Sequence, residues 1–305
     1  MKRKVIKLAD TTYVVSLPLK WARKHKIQKG QQVEVQERGT QITIIAKGEA
    51  PLKKGKFEAQ KFGQIVKRAF DAMYKIGYDE IEINYNNKYQ LKEVEDSVNS
   101  EAMTFEIVKQ EKNKCIVRSI TEASDKEFDS VLRRTVLLLK VMGEDLLKAI
   151  QEKDYDTIAN IRDLEKTNNK LTHYLRRALN KHGYKDPEKT NVMYTLAEQL
   201  EKLADEFKYL CNFLTDKRNR KLTLSGKTII LFEKLNKSLD IFSKIFFDLK
   251  PEKAVEFDEI KKNVIQTSIE LFQTQPAKEV VVIHYILNLE QELFDMLGPI
   301  LALYL

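Results

Sequence analysis

Two carboxylates one helical turn apart are the residues of this chain best suited to metal chemistry. Glu201 and Asp205 lie four positions apart in a segment whose apolar residues recur at helical spacing, so they share one helix face. Like charges at this spacing repel by roughly a few tenths of a kcal/mol. A hard cation such as Mg²⁺, Mn²⁺ or an iron ion would relieve that repulsion and take oxygen ligands. Glu165, on the preceding predicted helix, would add a third oxygen.

An ordinary salt-bridged surface explains the same residues. Lys202 and Lys208 are each three positions from Asp205, and Lys202 is four positions from Glu198. Ion pairs at these spacings would neutralise the carboxylates without a metal ion. Both interpretations of the acidic pair stay open at the level of sequence.

The other chemically active residue types form no catalytic pattern. The four histidines include no ligand-spaced pair, and no serine or cysteine nucleophile has a recognisable setting. Cys115 and Cys211 are too few and too far apart for a disulfide scaffold or a thiolate metal site, so we expect them to be packing residues. The sequence predicts a protein that is not an enzyme.

A second set of candidate residues is basic and lies near the N-terminus. From Thr11 to Val35 the pattern predicts a strand, a short helix that starts at Pro18, a turn at Gly30 and a second strand. The basic residues of that helix fall three and four positions apart and share one face: Lys20, Arg23 and Lys24.

The charge of the chain is concentrated in this region. The 305 residues carry a net charge of +8, but residues 1–57 alone hold fourteen Lys/Arg and four Asp/Glu. A cationic head on a near-neutral body is expected of a protein that binds a polyanion, although an anionic lipid surface would be attracted by the same field. Neither a signal peptide nor an apolar run long enough to span a bilayer is visible, so we expect a cytoplasmic protein.

Hydrophobic periodicity predicts a mainly α protein with four domains. Residues 1–47 alternate as short strands around one helix, and residues 48–57 form a linker. Residues 58–120 follow the order helix, strand, helix, strand, strand, which indicates a small α/β insert. Long amphipathic helices then predict two tandem three-helix bundles, at 125–215 and 222–305.

The N-terminal domain resembles the AbrB/SpoVT swapped-hairpin DNA-binding domain. The resemblance covers about Met1–Lys47 and rests on TTYVVSLPLKWARKHKIQKGQQVEV, in which an SLP-x-x-W helix start precedes a K-G turn. It implies DNA binding by a homodimer whose chains interlace, and a unit of about 45 residues with short strands also needs a second copy to bury a core. The matching basic positions are Lys2, Arg3, Lys4, Lys20, Arg23 and Lys24. The alternative is a basic domain that only dimerises.

The tandem bundles are similar to the PhoU fold of phosphate signalling. The matching segments are IRDLEKTNNKLTHYLRRALN at Ile161–Asn180 and LAEQLEKLADEFKYL at Leu196–Leu210. PhoU bundles carry an acidic E/D-x-x-x-D motif on the third helix, and Glu201 and Asp205 stand in those positions. In the second bundle Phe294 stands where the second acid belongs, so the sequence argues against a second acidic cluster.

An AbrB-like head on a PhoU-like body resembles the archaeal AbrB–PhoU regulators. That resemblance implies a dimeric regulator of phosphate uptake, which binds promoters of phosphate-transport genes and senses or relays a signal through its bundles. The alternative is an adaptor that does not bind DNA and docks on a phosphate transporter or sensor complex. An antitoxin-like factor is a third interpretation, against which the size of the body argues.

Overall fold

The structure, a computed structural model, divides the chain into two compact units, Met1–Lys53 and Lys54–Leu305. It describes residues 2–8, 11–46, 52–121, 125–220 and 222–305. The predicted domain end at Lys47 and residues 48–51 of the predicted linker lie outside the described residues.

The first unit consists of two antiparallel hairpins and a short helix. These are β1 (Val5–Leu8) with β2 (Thr12–Val15), helix α1 (Leu19–Lys24), and β3 (Glu34–Arg38) with β4 (Gln41–Ile45). Gly30 has a φ of 81°, as the predicted turn requires. The sequence does not predict β1, because four residues are too few to show a clear alternation.

This unit has no buried side chain among its described residues. Its strands leave large apolar side chains in solvent, with exposed fractions of 62% for Val5, 69% for Tyr13 and 69% for Ile42. A two-stranded hairpin by itself is marginally stable in water. The described residues of this unit therefore form no hydrophobic core of their own to hold the two hairpins.

The second unit begins with a four-stranded mixed sheet in the order β5-β6-β8-β7. Its strands are β5 (Lys54–Glu58), β6 (Glu80–Asn84), β7 (Phe105–Glu111) and β8 (Lys114–Ser119). Helix α2 (Val66–Lys75) connects the parallel strands β5 and β6, and helix α3 (Lys88–Ser100) follows β6. Together these elements enclose a small core of their own.

Strand β5 occupies residues that the sequence assigned to the linker and to the start of a helix. Its lysines are strand residues with partners on β6, since Lys54 Nζ lies 2.9 Å from Glu80 Oε1 and Lys56 Nζ lies 3.6 Å from Glu82 Oε1. Gly55 permits close packing, because a Cβ there would lie 2.5 Å from the Met73 side chain. The glycine and lysines of this segment indicate a linker when the sequence is considered alone, but pairing with β6 makes them part of the sheet.

The helical region follows in chain order and confirms the predicted mainly α fold with tandem three-helix bundles. The helices are α4 (Asp125–Glu152), α5 (Tyr155–His182), α6 (Thr190–Thr215), α7 (Gly226–Ile245), α8 (Pro251–Thr274), α9 (Ala277–Asp295) and α10 (Leu297–Tyr304). None of the described helices is both long enough and apolar enough to cross a membrane.

The two bundles share one continuous hydrophobic core. Helix α4 packs against α7, and α6 packs against α9. Gly143 lies at the first of these contacts, where a Cβ would come within 2.5 Å of Leu239 Cδ1. The sequence predicts two bundles that lie side by side. In the structure helices of the two bundles pack directly against each other, so the bundles form one core.

Helix α5 connects the α/β insert to the first bundle, since it packs against α4 and α6 and also against α2 and α3. Arg177, only 3% exposed, donates to the backbone oxygens of Tyr74 at 2.9 Å and Tyr78 at 2.5 Å. It also donates to Asp79 Oδ1 at 2.8 Å, and Lys181 Nζ reaches the same oxygen at 2.6 Å. These buried charge-assisted bonds fix the insert on the bundle.

Candidate functional site

A polar cavity of about 450 Å³ lies between the insert and the first bundle. Helix α2 contributes Lys67 and Asp71, and Glu101 follows the end of α3. From the bundle, α5 and α6 contribute Glu165, His173, Glu201, Asp205 and Lys208. All three sequence-predicted metal ligands therefore face one cavity, which also contains residues that the sequence analysis did not select.

A lysine stands between two of the predicted ligands. Lys208 Nζ lies 2.9 Å from Glu165 Oε1 and also bonds Asp205 Oδ1. Burial lowers the pKa of Lys208, but the hydrogen bonds to Asp205 and Glu165 outweigh burial and raise it, so the side chain is a firmly held cation. Asn169 Nδ2 donates to the same Glu165 oxygen at 2.7 Å.

The third predicted ligand, Glu201, also has cationic and polar partners. Arg176 donates to its Oε2, and Thr172 Oγ1 donates to the same oxygen at 3.2 Å. The carboxylates at 165, 201 and 205 thus do not fit a metal ion as they are arranged, because the Lys208 ammonium stands between Glu165 and Asp205, where the ion would have to lie. A metal ion would have to displace Lys208, so their role as ligands stays a prediction.

A different set of side chains converges in the same cavity. Asp71, Glu101 and His173 each offer one ligand atom, and these atoms lie within 4.8 Å of one another. All three residues are buried, with exposed fractions of 6%, 7% and 3%. Burial, assisted by the neighbouring Glu101 charge, raises the pKa of Asp71 to about 6. Burial and the nearby Lys75 lower the pKa of His173 to about 4. The set is one imidazole and two carboxylates, a donor combination used for divalent cations.

The sequence analysis missed this set because Asp71, Glu101 and His173 lie far apart in the sequence, on or next to three different helices, so they form no recognisable ligand spacing. The available signal was weak. His173 lies inside the run Leu171–Leu179, in which every residue is buried, and Asp71 follows the buried Phe70. A polar residue on a buried helix face needs a partner across the packing interface, and only the tertiary structure identifies that partner.

Aligning Leu289-Glu290 of the second bundle with Leu200-Glu201 of the first makes Glu290 the counterpart of Glu201, and it is sealed in the core. Glu290 is 0% exposed and accepts a hydrogen bond from Ser238 Oγ at 2.8 Å. Burial raises the pKa of Glu290 to about 8. A protonated carboxyl inside the core therefore stands in the second bundle where the first bundle presents an open acidic face.

The basic candidates of the first unit are all exposed. Lys2, Arg3 and Lys4 precede β1, whereas Lys20, Arg23 and Lys24 lie on α1. Exposure of this kind is required for contact with a phosphate backbone.

Neither a protein-family model nor a curated protein sequence matches this chain. Among solved structures, the chain is similar to the crystal structure of the phosphate transport system regulatory protein PhoU from Streptococcus pneumoniae. The TM-score is 0.50 at 13% sequence identity, and the match covers 59% of this chain and 94% of that chain. The tandem three-helix bundles of this chain therefore have a PhoU-like fold. The cavity lies where the α/β insert covers α5 and α6 of the first bundle.

Proposed function

We propose that this protein is a dimeric, non-enzymatic regulator of phosphate uptake, which binds DNA through its basic N-terminal unit and relays a signal through its PhoU-like bundles. The observation that carries the proposal is a PhoU-like helical fold in one chain with a separate, strongly basic N-terminal unit. The similar solved protein is a phosphate transport system regulatory protein.

The distribution of charge supports DNA as the partner of the first unit. Its six candidate residues are exposed, and α1 presents Lys20, Arg23 and Lys24 within six residues. Each Lys or Arg that neutralises a DNA phosphate releases a counterion, so affinity falls steeply with salt concentration. Promoters of phosphate-transport genes are the expected targets.

The exposed apolar strands support a homodimer. Val5, Tyr13 and Ile42 are each more than half exposed, although such residues are normally buried. A second copy of the unit would cover these strands, as in the interlaced hairpins that the AbrB-like sequence implies.

The deciding experiment is DNA binding across a salt series, with a promoter of a phosphate-transport operon and a shuffled duplex. We expect a preference for the promoter that persists at about 150 mM salt, and loss of binding in Arg23→Glu/Lys24→Glu. The matched control, Lys148→Glu/Lys227→Glu, makes the same charge change on exposed residues of α4 and α7 and should bind like the wild type. Undiminished binding by the Arg23/Lys24 variant would refute the DNA assignment.

The second candidate function is an adaptor that docks on phosphate transporter or sensor subunits. The transport-system role of the similar PhoU protein favours it. Deletion of residues 1–53 leaves the compact second unit with its own cores, so the deletion variant can be tested. Copurification of that variant with transporter subunits, together with no promoter preference in the full chain, would select the adaptor.

A further inference from the structure

We propose that Asp71, Glu101 and His173 bind a divalent transition-metal ion such as Zn²⁺ or Mn²⁺ at the junction between the insert and the first bundle. One ligand atom from each residue lies within 4.8 Å of the other two. The site is distinct from the acidic pair on α6, because neither Glu201 nor Asp205 is a ligand in it.

The imidazole of His173 provides the second, independent observation. The residue is 3% exposed, and its Nδ1 has no hydrogen-bond partner. Nδ1 lies 3.6 Å from Glu101 Oε2, whereas Nε2 lies 3.4 Å from Glu201 Oε2. When Nε2 carries the proton and donates to Glu201, Nδ1 directs a lone pair at a carboxylate oxygen. Two facing lone pairs repel, and a cation between them converts that repulsion into two coordinate bonds.

The remaining oxygens of the two carboxylates have partners that hold them in place. Ser97 Oγ donates to Asp71 Oδ1, and Lys67 Nζ lies 2.5 Å from Glu101 Oε1. One oxygen of each carboxylate is thereby tied to the protein, and Glu101 Oε2 is the oxygen that faces His173. Ligating carboxylates are commonly held by hydrogen bonds in this way.

Glu201 acquires a different role from the one that the sequence suggests. Its Oε2 pairs with Arg176 and lies 3.4 Å from His173 Nε2, so a protonated Nε2 would donate to it, which would set the tautomer and the orientation of the ring. Carboxylate–histidine–metal arrangements of this type raise the basicity of the ligating nitrogen. One nitrogen and two oxygens suit first-row divalent ions better than Mg²⁺ or Ca²⁺, which prefer oxygen alone.

The test is metal binding by the full chain after treatment with a chelator. Calorimetric titration with Zn²⁺ and with Mn²⁺ should give one ion per chain. Asp71→Asn and His173→Gln should weaken binding at least about tenfold, and Glu201→Gln about tenfold through its effect on the ring. Asp205→Asn, which changes a carboxylate of the same cavity that is not a ligand, should stay within about twofold.

A spectroscopic measurement on the wild type keeps the proposal testable even where a variant fails to fold. Pulsed electron paramagnetic resonance of the Mn²⁺ complex should detect coupling to one imidazole nitrogen. The proposal is overturned if the wild type binds neither ion or shows no nitrogen coupling. It is overturned as well if folded Asp71→Asn and His173→Gln bind normally. Weaker binding by Asp205→Asn would then assign the ion to the acidic residues around Lys208.

Discussion

Glu201 and Glu290 occupy matching positions on the third helices of the two bundles, yet their surroundings give them different chemistry. Glu201 faces the polar cavity and accepts hydrogen bonds from Thr172 and Arg176. Glu290 is fully buried, and its Oε2 has no hydrogen-bond partner. Because a buried carboxylate without a cation is costly, Glu290 remains protonated at neutral pH, whereas Glu201 has a cationic partner.

The raised pKa of Glu290 predicts that the free energy of unfolding decreases as pH rises. Its pKa is about 8 in the folded chain, above the ordinary value of 4.5. The contribution of Glu290 to the stability of the folded chain is therefore fully present below about pH 4.5 and is lost as pH rises through 8. Glu290→Gln, which cannot ionise, should flatten the fall in unfolding free energy between pH 5 and 8 by an amount of the order of a few kcal/mol.

Urea denaturation at several pH values measures this effect. Glu259→Gln, an exposed change on α8, should keep the wild-type pH dependence. Equal pH dependence in the wild type and Glu290→Gln would show that Glu290 does not titrate as proposed.

At the scale of elements, α5 is the helix around which the second unit is arranged. One face packs in the bundle core, and another carries Glu165, His173 and Arg177 toward the insert. Its first turn is capped by Asp154, which accepts a hydrogen bond from the Thr157 backbone N–H. A helix of 28 residues is long enough to contact both the insert and the bundle helices.

Arg177 is the residue whose loss should most weaken the junction between the insert and the bundle. Arg177→Ala removes the bonds to Tyr74 and Tyr78 and takes one cation away from the buried Asp79, which still pairs with Lys181. We expect a loss of about 3–5 kcal/mol in unfolding free energy, as for other buried ion pairs that lose one member. Chemical denaturation, followed by circular dichroism, measures the loss.

The matched control for Arg177 is Arg162→Ala on the same helix. Arg162 pairs with Asp163 at 3.4 Å, and their side chains are 36% and 51% exposed. Exposed pairs contribute about 1 kcal/mol or less. Similar losses in the two variants would mean that the Arg177 bonds do not hold the insert to the bundle.

At the scale of the whole molecule, the two units differ in how they can be stabilised. The second unit has a small core under its sheet and a large continuous core through both bundles. The first unit has no buried side chain among its described residues. The free energy that orders the first unit must therefore come from contacts outside its own described residues, and a second copy provides them in the proposed dimer.

The proposed dimer predicts how a charged substitution on β4 changes the mass of the protein in solution. Ile42→Lys places a charge on β4, at a residue that is 69% exposed in the single chain. Burial of that charge against a second copy would be costly, so we expect the variant to sediment as a monomer at concentrations where the wild type is a dimer. Ile269→Lys, at a residue on α8 that is 46% exposed, should remain dimeric. Dissociation of both variants, or of neither, would place the dimer contact elsewhere.

The sequence alone determines the parts of this protein that depend on local spacing. Apolar residues at helical intervals define the bundle helices, and alternating Ile81 and Ile83 define β6, because such spacing decides which side chains share a face. The same logic places Lys20 and Arg23 on one face of α1.

Only the tertiary structure decides the chemistry of the cavity. The sequence cannot show that Lys208 stands between Glu165 and Asp205, or that Asp71, Glu101 and His173 meet. Nor can it show that Gly55 belongs to a sheet. These contacts join residues from separate elements, and their formation depends on how α5 packs against the insert and α6, which no local pattern encodes.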